Sequence, residues 1–307
     1  MILLCGIPTE TPMALVSDAL DSTGTPYVVL NQRKYASMKM SLDIQAGKAT
    51  GRLQLNGDSY SVDEFTGVFS RLMDYHHLPE LQDAPADSPD LKFCGNLFET
   101  LTRWAEISPA RVVNRIAPMG SNFSKPFQAQ LIKRYGFEVP ETLITNDPDL
   151  VRAFRARHGR IIYKSISGVR SIVQTLTDED MLRIDNIRWC PTQFQAFVEG
   201  TNVRVHTVGD KVFATGINTE ATDYRYAHRQ SGDHAELRPV ELSDDLAEMC
   251  VKLSAGLGLA FAGIDLKITP ENRVYCFEVN PSPAFSYYES QTGQPISRAV
   301  AEYLSGN

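Results

Sequence analysis

Residues 261–281 read Phe261-Ala262-Gly263-Ile264-Asp265-Leu266-Lys267-Ile268, then Thr269-Pro270-Glu271-Asn272, then Arg273-Val274-Tyr275-Cys276-Phe277-Glu278-Val279-Asn280-Pro281. Two apolar runs of strand length flank a short segment with Pro and Asn, the pattern of an antiparallel hairpin. An even-membered loop centred on Glu271-Asn272 sets Asp265 directly across from Glu278, with Cβ atoms about 4.5–5.5 Å apart. Asn280 then shares their face, because side chains two apart on a strand point the same way.

Two carboxylates facing each other in an apolar hairpin repel and are costly to bury unless a cation lies between them or one is protonated. A hard divalent ion removes the conflict, since Asp, Glu and the Asn amide all offer the oxygen donors that Mg²⁺ accepts. The plainer alternative is a solvent-facing hairpin in which Lys267 neutralises Asp265. An odd-membered loop would break the register altogether.

Outward from the hairpin, the chain alternates short strands and helices. Met1–Cys5, a helical stretch over Pro12–Leu20 and a strand at Pro26–Leu30 suggest a small β-α-β layer. Strand-length segments at Gly51–Leu55 and Gly67–Phe69 follow. The Pro-, Asp- and Ser-rich stretch His76–Pro89 reads as an exposed loop. A helix over Leu91–Ile107 stops at Ser108-Pro109, and Val112-Val113-Asn114 ends this part as a strand. From Ser124-Lys125-Pro126 a helix runs to Tyr135, closed by Gly136, and a strand over Pro140–Thr145 precedes a capped helix at Asn146-Asp147-Pro148. Ile161–Lys164 is a strand leading into a loop, Ser165–Ser171. Residues 193–217 are strand-rich, with a hairpin turn at Val208–Val212, and helices over Asp244–Leu257 and Ile296–Leu304 complete the chain.

Three hundred and seven residues allow about two domains. With 43% hydrophobic and 22% charged residues the composition is that of an ordinary globular protein. Thirty Lys and Arg against 37 Asp and Glu give a net charge of −7, which argues against nucleic acid and anionic lipid as partners. No apolar run reaches the ~20 residues of a membrane span, and the N-terminus lacks the basic start of a signal peptide. Five widely spaced cysteines and no clustered histidines suggest neither a disulfide framework nor a zinc site, so a cytoplasmic location is expected.

Asp265, Glu278-Val279-Asn280-Pro281-Ser282-Pro283 and the upstream Lys125 and Lys164 resemble the ATP-grasp superfamily of carboxylate-amine ligases. Within it the chain is similar to the RimK-like branch, and more closely to the peptide ligases that make graspetides (microviridin-type peptides). The resemblance is carried also by Val139–Pro148, Gln195–Val198, Arg204–Gly209 and Asp223-Tyr224-Arg225, over about residues 112–290. It implies an α/β (α+β) ATP-grasp fold: an N-terminal pre-ATP-grasp domain at 1–115, a central subdomain at 116–192 and a C-terminal subdomain with the metal hairpin at 193–307.

The resemblance further implies roles. Lys125 and Lys164 reach the nucleotide phosphates. Gln195, Ala196 and Val198 lie on the hinge strand that meets adenine through its backbone, and Glu199 binds the ribose. Arg204 and Arg225 contact the γ-phosphate, the acyl phosphate or the substrate carboxylate, a task suited to a planar guanidinium, and Arg170, a catalytic candidate with them, takes over part of the phosphate loop's work. Asp265, Glu278 and Asn280 hold two Mg²⁺ ions, with Mn²⁺ as the alternative. The phosphate loop departs from the family's glycine-rich form, having only Gly168, and Asn202 stands where relatives often have an acidic residue. Taken alone, each of these lysines and arginines also fits a solvated surface residue.

The implied reaction is attack of a substrate carboxylate on ATP, giving an acyl phosphate that an amine or hydroxyl then intercepts. The substrate is a peptide carboxylate or, as the alternative, a free amino acid or small metabolite; an inactive nucleotide-binding module is the third reading. Arg71-Leu72-Met73-Asp74-Tyr75 ends a strand and is assigned to the substrate side. Homo-oligomer formation is left open by the residues, as is the choice between ester and amide.

Overall fold

The computed structural model describes residues 1–46, 48–166, 173–218 and 236–306. At the N-terminus, strands Ile2–Gly6, Tyr27–Asn31, Gly67–Ser70 and Arg111–Val113 form a parallel sheet in which Ile2–Gly6 lies between Tyr27–Asn31 and Gly67–Ser70. Strand alternation splits the first run between two cores. Ile2 and Leu4 face helix Thr11–Ser22 through Met13, Val16 and Leu20, whereas Leu3 and Cys5 face helix Pro89–Ile107 through Cys94, Leu97 and Leu101.

An antiparallel meander, Lys39–Gln45, Lys48–Leu55 and Asp58–Ser61, is attached to this layer. Only part of its middle strand is legible as such in the sequence, because Lys39–Gln45 is mostly exposed and has no buried face to impose an apolar alternation. The stretch expected to be an exposed loop, 76–89, departs from that expectation at two points. Leu78 and Leu81 are fully buried and pin it to the core beside helix Pro89–Ile107.

The central antiparallel sheet has the order Gln174–Thr175, Ile161–Lys164, Thr192–Ala196, Thr142–Thr145. Helix Pro148–His158 covers one face. Asp147 caps it by accepting from the Asp149 N–H, and Val151 and Phe154 bury against Ile161 and Phe194. The largest sheet is antiparallel, with the order Glu236–Val240, Lys211–Asn218, Thr201–Val208, Phe261–Ile268, Val274–Asn280. Helix Asp244–Gly256 and helix Lys125–Lys133 pack on it through Leu246, Cys250, Leu253 and Ile132.

The C-terminal helix Ile296–Ser305 packs into the same core as the Ile2/Leu4 face of the N-terminal sheet, where Ile296, Val300 and Leu304 are wholly buried. Each such side chain stabilises by about 1.5–3 kcal/mol relative to exposure. Asn114 ties the layers together from within. Its Oδ1 accepts from the Ala260 and Phe261 N–H groups at 2.9 and 3.1 Å. Its Nδ2 donates to the Phe261 and Pro281 carbonyls, each at 2.6 Å. One buried amide thus fixes where the strand after Ala260 starts and where the strand before Pro281 ends. Among the described residues no helix is long and apolar enough to cross a membrane.

Candidate functional site

Asp265 stands directly across from Glu278, and Gly263 across from Asn280, as the hairpin reading expected. The route to that register is different. Near the turn, Ile268 pairs with Val274 and Leu266 with Cys276, so the loop is odd-membered, and a bulge at Phe277 restores the pairing beyond it. The extra residue also alters which way side chains point. Cys276 lies in the core with Leu266 and Val279, while Phe277 and Glu278 both line the cleft. Cys276 therefore does not share the face of Glu278, and its burial pushes the thiol pKa well above the ordinary value.

The neighbouring strand brings Arg204 opposite Asp265, and its Nη1 donates to Oδ1 of Asp265 at 2.7 Å. The guanidinium is 5.7 Å from the Tyr288 ring and lies over Gly263. A Cβ at position 263 would fall 2.2 Å from Nη2 of Arg204, so only glycine leaves the arginine its place. From the other side, Lys125 at the first turn of its helix donates to Glu278 and, at 2.7 Å, to Oδ1 of Asn122. Gln128, three residues on and on the same helix face, is buried and clamps the strand between Glu278 and Asn280. It donates to the Val279 carbonyl at 2.8 Å and accepts from the Val279 N–H at 3.0 Å. The Asn280 side chain accepts from the Ser282 N–H at 2.9 Å, which turns the chain away after the strand.

These carboxylates open into a cleft between the central and the large sheet, lined by Lys164, Gln195, Val198, Lys267, Phe277 and Glu278 among others. The hinge expectation divides. Gln195 lines this cleft, Val198 lines both it and a second hollow, and Ala196 and Glu199 line only that second hollow. The Ala196 N–H is already donated to the Glu141 carbonyl at 2.9 Å. Gln195 Nε2 donates to Thr142 at 3.0 Å, and its buried Oε1 has no hydrogen-bond partner. Lys267 points at the hinge, 5.1 Å from the Phe197 ring. Burial, then the nearby Arg160, lowers its pKa, with Glu199 opposing. Arg170, Gly168 and the Asp223-Tyr224-Arg225 motif lie outside the described residues, as does most of the phosphate loop.

Asp265 and Glu278 line one edge of the cleft, and Asn280 follows two residues on, opposite Gly263; the oxygens of these three residue types would fit Mg²⁺ better than a soft or redox-active metal. Among the described residues no three His, Cys, Asp or Glu side chains gather as a metal cage. Two carboxylates with one amide suit an ion that keeps its remaining positions for water and phosphate. Sequence reasoning missed Gly263, Gln128 and Asn114. Gln128 had a signal, a polar residue on the apolar stripe of the helix that carries Lys125 and Ile132. Gly263 and Asn114 had none, because each acts on a strand remote in sequence.

Fold and site together define a nucleotide-grasping α/β protein with a two-carboxylate edge. A RimK-like ATP-grasp domain model matches residues 124–304, and the chain belongs to the RimK-like ATP-grasp family. The chain is similar in structure to the Chryseobacterium gregarium RiPP-associated ATP-grasp ligase in complex with ADP and a leader and core peptide. That match has a TM-score of 0.83 at 24% identity, over 99% of this chain and 96% of that one. The ATP-grasp ligase PsnB, complexed with minimal precursor, Mg and ADP, aligns with a TM-score of 0.80 at 25% identity, over 99% and 96%. Among curated proteins, a probable alpha-L-glutamate ligase of Rhodopirellula baltica is 24% identical over 242 residues, 75% of this chain. The match spans 59% of that relative's length.

Proposed function

We propose that this protein is an ATP-dependent ligase that activates a peptide carboxylate as an acyl phosphate and joins it to an amine or hydroxyl, releasing ADP and phosphate. The observation that carries the reading is the edge on which Asp265 and Glu278 face each other, each already paired with a cation from a neighbouring element, Arg204 and Lys125 respectively. Chemistry between phosphate and carboxylate needs such a set, since every reacting group is an anion and catalysis is largely positioning and charge neutralisation.

In this account Asp265, Glu278 and Asn280 hold Mg²⁺, with Mn²⁺ as its substitute, and the ion neutralises phosphate charge. Lys125 and Lys164 hold the nucleotide phosphates from opposite walls. Gln195 and Val198 receive the base, and Ala196 and Glu199 support the hinge from behind. Arg204, anchored by Asp265 and Tyr288, orients the carboxylate or its acyl phosphate, Arg225 completes that role, and Arg170 supplements the phosphate loop. The three-part division at residues 115 and 192 assigns substrate selection to the N-terminal part. The cleft between sheets protects the acyl phosphate from water. All five cysteines are free thiols and four are buried, which fits the reducing cytoplasm.

A peptide as carboxylate donor is supported by the neighbours that align over almost the whole chain, one in complex with a leader and core peptide and the other with a minimal precursor. The glutamate-ligase names of the curated relatives favour a free amino acid as the second reading. Hydroxylamine with MgATP separates the two, because it traps any acyl phosphate as a hydroxamate. Hydroxamate from acidic peptides supports the first reading, hydroxamate only from a free amino acid supports the second, and none from either class rejects both.

A further inference from the structure

Val274–Asn280 is the edge strand of the largest sheet, so one side of its backbone pairs with Phe261–Ile268 and the other faces outward. Near the turn the outward groups belong to even-numbered residues. The Val274 carbonyl accepts from the Glu138 N–H at 3.1 Å, and the Cys276 N–H donates to the Glu138 carbonyl at 2.8 Å. Past the bulge the parity changes, and the outward groups are those of Val279. Its N–H donates to Oε1 of Gln128 at 3.0 Å, and its carbonyl accepts from Nε2 of the same amide at 2.8 Å. The bulge at Phe277 therefore lies between two edge contacts, one from the Glu138 backbone and one from the Gln128 side chain.

The bulge decides which side chains meet. Carried on unbroken from Leu266 opposite Cys276, the pairing would set Phe277 across from Asp265 and Glu278 across from the wholly buried Ile264. An unbulged strand would also turn the N–H and carbonyl of Glu278, in place of those of Val279, toward the outer edge. Gln128 is buried on a helix that Ile132 anchors in the core, so its amide meets the strand at one fixed step. Removing that amide leaves the buried N–H and carbonyl of Val279 without partners and frees the strand to shift by one residue.

We infer that Gln128 is a positioning residue that locks this strand in its bulged register, and so keeps Glu278 across from Asp265 for the joint binding of a divalent ion and nucleotide. The inference rests on the metal role given to Asp265 and Glu278 above. Lys125, three residues earlier on the helix, touches Glu278 itself, whereas Gln128 acts through the backbone between Glu278 and Asn280. A second clamp of the same kind serves as its comparison. Gln32, also buried, donates to the Met73 carbonyl at 2.6 Å and accepts from the Met73 N–H at 3.0 Å, on a segment that carries none of the three ligands.

The test measures the affinity of the full chain for ADP by isothermal titration calorimetry, once with Mg²⁺ and once with EDTA; the ratio of the two is the coupling between ion and nucleotide. In Gln128→Met that ratio falls about tenfold, or to unity, the scale expected when a group behind a metal ligand is removed. Affinity for metal-free ADP stays within about twofold of the wild type, because Lys125 and its helix keep their place. Gln32→Met, which loses the like pair of bonds elsewhere, keeps the ratio within about twofold. Gln128→Asn, whose shorter amide no longer reaches both groups of Val279, carries the same test if the methionine variant does not melt cooperatively. An unchanged ratio overturns the register lock, as does a ratio that falls as far in Gln32→Met. Equal loss with and without Mg²⁺ also overturns it, since Gln128 then only docks the helix of Lys125. Wild-type protein that binds ADP alike with Mg²⁺ and with EDTA removes the metal reading itself, and the inference with it, an outcome that the wild-type arm alone reports.

Discussion

Gly263→Ala is the smallest change that tests how the candidate site is built. The new Cβ would lie 2.2 Å from Nη2 of Arg204 and 2.8 Å from Cβ of Pro283. The strand cannot slide away, because it is paired on both sides, with Thr201–Val208 and Val274–Asn280. The guanidinium must therefore move off Asp265, with the loss of a charge-assisted hydrogen bond, about 1.5–3 kcal/mol, plus overpacking of about 1–3 kcal/mol. Partial relaxation leaves a net cost of roughly 2–4 kcal/mol, or a fall in Tm of about 5–10 °C at the few degrees per kcal/mol expected for this size. Hydroxamate formation should fall more than stability implies, by about tenfold or more in kcat at a temperature where the variant is folded, since Arg204 no longer orients the carboxylate. Differential scanning fluorimetry and the hydroxylamine assay measure both. A Tm within about 1 °C of wild type with full kcat would refute the packing argument and the role given to Arg204 together.

Other expectations follow from single contacts. Asp265→Asn and Glu278→Gln keep a cooperative melt but lose about 100-fold or more in ADP release, because an amide carries no charge to hold the ion; full turnover in both sinks the metal assignment. Lys164→Met weakens binding of a fluorescent ATP analogue about tenfold, and unchanged affinity returns Lys164 to the surface lysines. His206 is buried against Phe261 and Tyr288 with neither ring nitrogen hydrogen-bonded, and burial, then Arg204, lowers its pKa well below 6.5. The folded protein keeps it neutral while the unfolded chain binds a proton, so stability falls as pH drops below the unfolded pKa of about 6.5, by up to about 1.4 kcal/mol per unit. Urea melts between pH 7.5 and 5.5 should show a shallower pH slope in His206→Phe, and identical slopes would contradict the assignment. Of the five cysteines only Cys190 is exposed, and burial pushes the Cys94 and Cys250 thiols up to about 12, so a thiol reagent should label one site per native chain.

Much of the architecture was legible because it is periodic. The alternation of Ile264, Asp265 and Leu266 between core and cleft, and the capped helix after Asp147, follow from patterns within a few residues. The facing of Asp265 and Glu278 was legible for a reason only partly right: the loop is odd-membered, and the bulge at Phe277 compensates. A bulge has no composition signal in a run of strand formers, and simple alternation would set Cys276 on the face of Glu278 rather than in the core where it lies. Gly263 and Asn114 were invisible for a different reason. Their partners, Arg204 and the backbone at 260, 261 and 281, come together only once three elements are packed. The C-terminal helix reads as an ordinary amphipathic element, and nothing along it says that its apolar face belongs with the first strand of the chain.

The most direct measurement labels the carboxylate oxygens of an acidic peptide with oxygen-18 and follows the label during turnover with MgATP and an amine or hydroxyl acceptor. An acyl phosphate formed on the edge of Asp265 and Glu278 delivers one labelled oxygen to inorganic phosphate for each bond made. Label in AMP, or phosphate released without label while product accumulates, would contradict the account.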